Sequence, residues 1–211
     1  LETEYEGCIS VNGTDIRRLW PALYDQIGVV LQDAFIFDDT FLQNVTLYRP
    51  ALQERAVSVM HSLGMDAFLA SHDLDQVFQN TKGNLSGGER QKVYFAMCLA
   101  QDSQVLFLDE PTTYLDLSHQ FEIMELTRQL EQAGKTVIMV LHDLGLALSY
   151  ADQLAVMQFG RLVFAGSPQE VLESGCLEQV FRVRIQKGGL QKSGGYLFFP
   201  AGPKEEKDGE I

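Results

Sequence analysis

Apolar and polar positions follow two rhythms along this chain. IGVVL at 27–31, VLFL at 105–108 and VIMVL at 137–141 are short unbroken apolar runs, which fit strands of a parallel sheet buried on both faces. Between them the spacing turns helical. Leu52, Ala56, Val59, Met60 and Leu63 share one face of a helix expected over 51–63 and stopped by Gly64, and a second short helix is expected at 66–70. Val93, Ala96, Met97 and Ala100 recur at i, i+3, i+4 and i+7 behind a helix start at 85–89. Ile123, Leu126 and Leu130 face inward on a helix that follows Asp116, runs through Ala133 and stops at Gly134. GCISVNGTDI at 7–16 reads as strand, Asn-Gly turn and returning segment, and 154–163 as a hairpin turning at Gly160. Ser167-Pro168-Gln169-Glu170 combines a cap, an N1 proline and a capping-box glutamate at a helix start. Phe35, Ile36, Phe37 and Phe41 crowd a segment without periodicity, the mark of an interface or a small subdomain core. Strands alternating with helices predict an α/β fold.

Composition narrows the function classes. The chain has 211 residues, of which 45% are hydrophobic, enough for a substantial core. No apolar run approaches the roughly 20 residues of a membrane span, and no signal peptide is evident, so membrane association is expected to go through a partner. A net charge of −13 argues against nucleic acid as a ligand, since a phosphate backbone wants a basic surface. Cys8, Cys98 and Cys176 are scattered without disulfide or zinc spacing and are expected to fill core space. His61 lies beside a buried helical face and is expected to be packed or solvated; His72-Asp73 is expected at the surface.

Candidate chemistry concentrates between Leu85 and Asp116. The apolar run 105–108 ends in Asp109 and Glu110. Two carboxylates at the carboxyl end of a buried strand lie where open α/β sheets bind ligands. Asp109 is placed to hold Mg²⁺ through water and Glu110 to polarise an attacking water. Taken alone, a strand that simply ends in polar residues fits equally well. Upstream, Ser86 and Glu89 have capping-box spacing at a helix start, and Gly87 and Gly88 leave its amides bare. Exposed N–H groups and the positive end of the helix dipole make an anion site.

These segments carry a resemblance. LSGGERQ resembles the signature motif of the ABC (ATP-binding cassette) ATPases, VLFLDEP their Walker B motif and TTYLD their D-loop. The family pattern also has a glutamine after an earlier strand and a histidine after a later one, matched by Gln32 in VVLQD and His142 in IMVLHD. The resemblance spans about residues 7 to 184. It implies a P-loop NTPase-type, mostly parallel sheet flanked by helices, with a helical subdomain at about 42–98. The incomplete ATPase domain would occupy 1–199, followed by a disordered tail at 200–211. It implies ATP and Mg²⁺ as ligands, with Glu110 as general base and His142 as γ-phosphate sensor. Asp109 and Gln32 would form the Mg²⁺ shell. Ser86, Gly87 and Gly88 would face the γ-phosphate held by a second ATPase subunit, in a homodimer, and Asp116 would cross the dimer interface. Other implied partners are transmembrane permease subunits, docking near Phe35–Phe41, and a substrate-binding protein, which places the chain peripherally at the cytoplasmic face of the cell membrane. The absence of a long heptad insert weighs against the chromosome-maintenance and DNA-repair relatives.

The family's phosphate loop, G-x-x-x-x-G-K-[ST], would precede residue 7, and the chain is expected to start mid-domain. Gly134-Lys135-Thr136 fails as a substitute, with Gln129 at the first glycine and a strand following; Lys192-Ser193 fails with Gln191 before it. Each lost charge-assisted hydrogen bond to phosphate is worth roughly 1.5–3 kcal/mol. The chain alone is therefore expected not to turn over ATP, and its sheet to show a gap where the loop's strand belongs. DEPTTYLDLSHQ, VLHDLGLALSYAD and GSPQEVLES resemble the importers of iron–siderophores, haem and cobalamin, the favoured reading; VVLQDAFIFDD resembles exporter half-transporters. A non-catalytic partner chain is the remaining alternative.

Overall fold

The frame of the site is a three-stranded parallel sheet of β3 (Ile27–Val30), β4 (Val105–Asp109) and β5 (Thr136–Val140), in that order. The computed structural model describes residues 7–19, 23, 26–31, 36–78, 85, 87–113, 115–187 and 196–200. Register pairs Val29 with Phe107 and Phe107 with Ile138, so these three side chains form one cross-strand row. The three strands pair directly with one another, and the expected gap is not found among them.

One face of the sheet is the core. Val30, Leu106 and Leu108 are buried there, with Val137 and Met139 packed alongside. Helices α5 (Gly87–Ala100) and α6 (Leu117–Gln132) supply Val93, Ala96, Ala100, Ile123 and Leu130 to the same cluster. Helix α5 buries more than the expected face, since Tyr94, Phe95, Cys98 and Leu99 are buried too. It is sandwiched between the sheet and the other helices, as a helix apolar most of the way round must be. The opposite sheet face differs from the expectation of double burial. Val29 is 53% exposed, Phe107 38% and Ile138 45%, and Leu31 and Val140 are exposed as well.

The helical subdomain lies between β3 and β4. Helix α2 (Phe41–Thr46) is capped by Thr40, whose hydroxyl accepts from the Gln43 amide. Helix α3 (Gln53–Ser62) buries Ala56 and Met60, with Leu63 buried after it and Gly64 at φ 65° closing it as expected. Helix α4 (Asp66–Ser71) buries Phe68. Of the Phe35–Phe41 cluster, Ile36 and Phe41 are subdomain core, Phe37 is exposed and Phe35 lies outside the described residues. The buried Asn44 side chain accepts from the Phe37 amide at 2.7 Å and donates to the Phe37 and Thr40 carbonyls, which fixes the approach to α2. His72, expected at the surface, is half-buried and stacks on Phe68 at 4.3 Å between ring centroids. His61 is exposed and meets Asp66 at 2.6 Å. At the foot of the sheet Asp102 accepts from Arg55 of α3 and from Lys135, which precedes β5.

The hairpin of β1 (Ser10–Val11) and β2 (Thr14–Asp15) turns at Asn12 and Gly13, both at positive φ, as Asn-Gly predicts; a short α1 (Ile16–Leu19) follows. Cys98 and Cys176 are buried as expected, whereas Cys8 is exposed beside Asp15.

These elements belong to the first of two compact units, Leu1–Leu141; the second is His142–Ile211. In the second, α7 (Leu144–Tyr150) precedes the antiparallel hairpin of β6 (Leu154–Gln158) and β7 (Arg161–Gly166), which turns at Phe159 and Gly160. Helix α8 (Pro168–Glu173) starts with the full capping box of Ser167 and Glu170. Helix α9 (Cys176–Phe181) and the antiparallel pair β8 (Val183–Lys187) and β9 (Tyr196–Pro200) complete the unit. Its core gathers Leu148, Val156, Val171, Cys176 and Leu177. Among the described residues no helix is long and apolar enough to cross a membrane.

Candidate functional site

The site is built where β4 ends. Asp109 pairs with Val140 in the last register position of the ladder and is exposed. Glu110 leaves the ladder at once. Its φ is 48°, a left-handed value uncommon for a residue with a side chain, and Pro111 follows it. The neighbours hold this conformation. The Glu110 amide donates to the Val140 carbonyl at 3.1 Å, and the Thr113 amide donates to the Glu110 carbonyl at 3.1 Å. The Thr113 hydroxyl donates to the Glu110 carboxylate at 3.0 Å. Pro111 and Thr112 are buried beneath this turn, while Glu110 is half-buried. Strand and turn thus aim two successive carboxylates out of the carboxyl end of the sheet by different backbone means, one in the ladder and one off it.

The loop then runs into α6. Asp116 is the N-cap of that helix; its carboxylate accepts from the His119 amide at 3.0 Å and meets His119 Nδ1 at 2.9 Å. The His119 amide, and then its ring, hold the Asp116 carboxyl below the ordinary aspartate range. Gln120, one turn into α6, donates to the Leu115 carbonyl at 3.0 Å and to the Thr112 carbonyl at 3.4 Å, so the helix grips the loop from beneath. Lys92 of α5 meets Glu122 of α6 at 3.1 Å and ties the two helices together.

Gly87 and Gly88 form the first turn of α5, with Leu85 half-buried before it. Ser86, its expected cap, lies outside the described residues, as do Gln32 and residues 201–211. His142 opens the second unit; it is exposed, and the next residue, Asp143, caps α7 by accepting from the Leu146 amide at 2.9 Å. Among the sequence-predicted residues, Asp109, Glu110 and the Asp116 loop share one carboxyl edge of the sheet. Thr113 and Gln120 were not singled out by sequence; each is an ordinary polar residue whose partner is set by a turn and a helix phase that no local pattern announces.

As a donor set this edge suits a hard cation beside a polyphosphate. Among the described residues no cluster of three or more His, Cys, Asp or Glu side chains could cage a metal. Mg²⁺ is commonly held by one or two carboxylates, waters and substrate phosphate oxygens, and the exposed Asp109 fits that use.

The profile of the ABC transporter family matches residues 1–113, from before the first hairpin to the turn after β4. The chain belongs to the ABC transporter family. Among its relatives, the achromobactin transport ATP-binding protein CbrD of Dickeya dadantii is 39% identical over 84% of this chain and 68% of its own length. The petrobactin import ATP-binding protein FpuC of Bacillus anthracis is 50% identical over 48% of this chain and 38% of its own length. Among solved structures, a bacterial Atm1-family ABC exporter with ATP bound matches 84% of the chain and 32% of its own, with a TM-score of 0.73 and 27% identity. The chain therefore spans from under two-fifths to about two-thirds of the length of these curated relatives.

Proposed function

We propose that the chain is the ATP-binding and ATP-hydrolysing part of an ABC importer, taking up an iron–siderophore, haem or cobalamin. The observation that carries this reading is the end of β4, where Glu110 is turned out of the ladder at positive φ directly after Asp109 in a chain of the ABC transporter family. Import is supported by transport and import relatives, an exporter being the alternative that the solved structure keeps in view.

In this reading Glu110 is the general base for the attacking water and His142 contacts the γ-phosphate. Asp109 and Gln32 would hold Mg²⁺, which neutralises phosphate charge when bound. Ser86, Gly87 and Gly88, at the amino end of α5, face the γ-phosphate held by the phosphate loop of a second ATPase subunit, because bare amides at a helix start favour an anion. Asp116 lies at the interface of that pair. Closure and reopening of the two subunits would drive the transmembrane permease subunits, which hold the chain at the cytoplasmic face of the membrane, with a substrate-binding protein delivering cargo.

A Gly88→Glu substitution in the intact protein, assembled with its permease, tests the signature role. A carboxylate at the mouth of that anion site is expected to lower turnover by about 10²-fold, as loss of an oxyanion donor does, with ATP still bound by the phosphate loop. Unchanged turnover would refute the role. Uptake, rather than efflux, of labelled ferric siderophore into cells carrying the assembly distinguishes importer from exporter.

A further inference from the structure

We propose that Thr113 is a positioning residue for Glu110, its hydroxyl fixing the carboxylate of the general base as the chain leaves β4. The proposal rests on Glu110 being that base. A glutamate on an exposed strand end has freely rotating torsions, yet a general base must stand within hydrogen-bond reach of one water. Here the residue is held at three points. Its amide is taken by the Val140 carbonyl and its carbonyl by the Thr113 amide, each at 3.1 Å. Its carboxylate Oε2 is taken by the Thr113 hydroxyl at 3.0 Å. The first two bonds set the backbone at φ 48°; the third fixes the side chain.

Thr113 can do this because it is itself anchored. It ends a turn whose preceding residues, Pro111 and Thr112, are buried, and Gln120 of α6 donates to the carbonyls of Thr112 and Leu115 on either side of it. The hydroxyl is thus presented from a loop gripped by a long helix. A β-branched residue adds stiffness at χ1. A displacement of about 1 Å at a catalytic group costs on the order of 10²-fold in rate, so a donor that holds one carboxylate oxygen is a specific kinetic device.

The test compares Thr113→Val, Thr113→Ser and Glu110→Gln, and the double variant Thr113→Val/Glu110→Gln, in the intact ATPase with its partner subunits. Val keeps the shape and removes the donor; Ser keeps the donor. Expected is a fall in kcat of about 10- to 100-fold for T113V with KM, Tm and the Kd for a non-hydrolysable ATP analogue within about twofold of the parent, and recovery to within about threefold in T113S. In the E110Q background T113V is expected to change the residual turnover by less than about twofold, because a residue acting only through Glu110 has nothing left to position. A fall in kcat for T113S equal to that for T113V would overturn the proposal, as would an equal slowing by T113V in the parent and E110Q backgrounds. If E110Q lowers turnover and T113V does not, Thr113 is dismissed and the base stands. If E110Q turns over like the parent, the assignment of the base fails and the proposal falls with it.

Discussion

Asp116 shows how one side chain serves two purposes at the residue scale. It caps α6 through the His119 amide while standing in the D-loop-like segment. The amide and ring of His119 stabilise its ionised form, so its folded-state pKa lies below that of the unfolded chain. A depressed carboxylate pKa contributes stability above the unfolded value, near 3.9, and that contribution disappears as pH falls through the lower folded value. Asn can cap without titrating. The denaturant midpoint of the parent should therefore exceed that of Asp116→Asn at about pH 6, and the difference should shrink toward zero below about pH 3. A constant difference across that range would show that the carboxylate charge plays no part in the cap. The places of Asp116 and Glu110 were both legible in the sequence, because Asp116 directly precedes a helical stretch and Glu110 closes an apolar run. Thr113 was not legible, since its contact depends on the positive φ of Glu110, which nothing in the residue types announces.

At the scale of elements, β4 separates what pattern reveals from what packing decides. The run 105–108 identifies a strand correctly, but an unbroken apolar run cannot say whether both faces are covered. Leu106 and Leu108 are buried under α5 and α6, whereas Phe107 looks out on the other side beside Val29 and Ile138. Truncation should follow burial rather than side-chain size. Leu106→Ala is expected to cost about 2–5 kcal/mol in urea unfolding, the range for a fully buried leucine. Phe107→Ala should cost clearly less than Leu106→Ala, although a buried phenylalanine would cost about 3–5 kcal/mol. Equal or inverted losses would mean that the outer face is covered in solution. Helix α5 teaches the complementary lesson. Its i, i+3, i+4 face was legible, but Tyr94, Phe95, Cys98 and Leu99 are buried as well because α2, α3 and β3 all pack on α5 from far away in sequence. His72 was missed for a local reason: as the C-cap of α4 it stacks on Phe68 one helical turn earlier, against its polar surroundings in the chain.

For the whole molecule, order along the chain was more informative than any single motif. A glycine pair at the start of α5 and a strand ending in Asp109-Glu110 both fall within the residues that the ABC transporter family model matches, and Asp116 follows them as the N-cap of α6. Among the described residues β3, β4 and β5 are consecutive neighbours, so no gap interrupts these three strands. The central claim is that Glu110 is the base of an ATPase. Its most direct test is the steady-state ATP turnover of the intact assembly carrying Glu110→Gln, measured with retained nucleotide. Loss of a general base predicts a fall of about 10²–10⁴-fold with ATP still bound. Turnover within a few-fold of the parent would contradict the account.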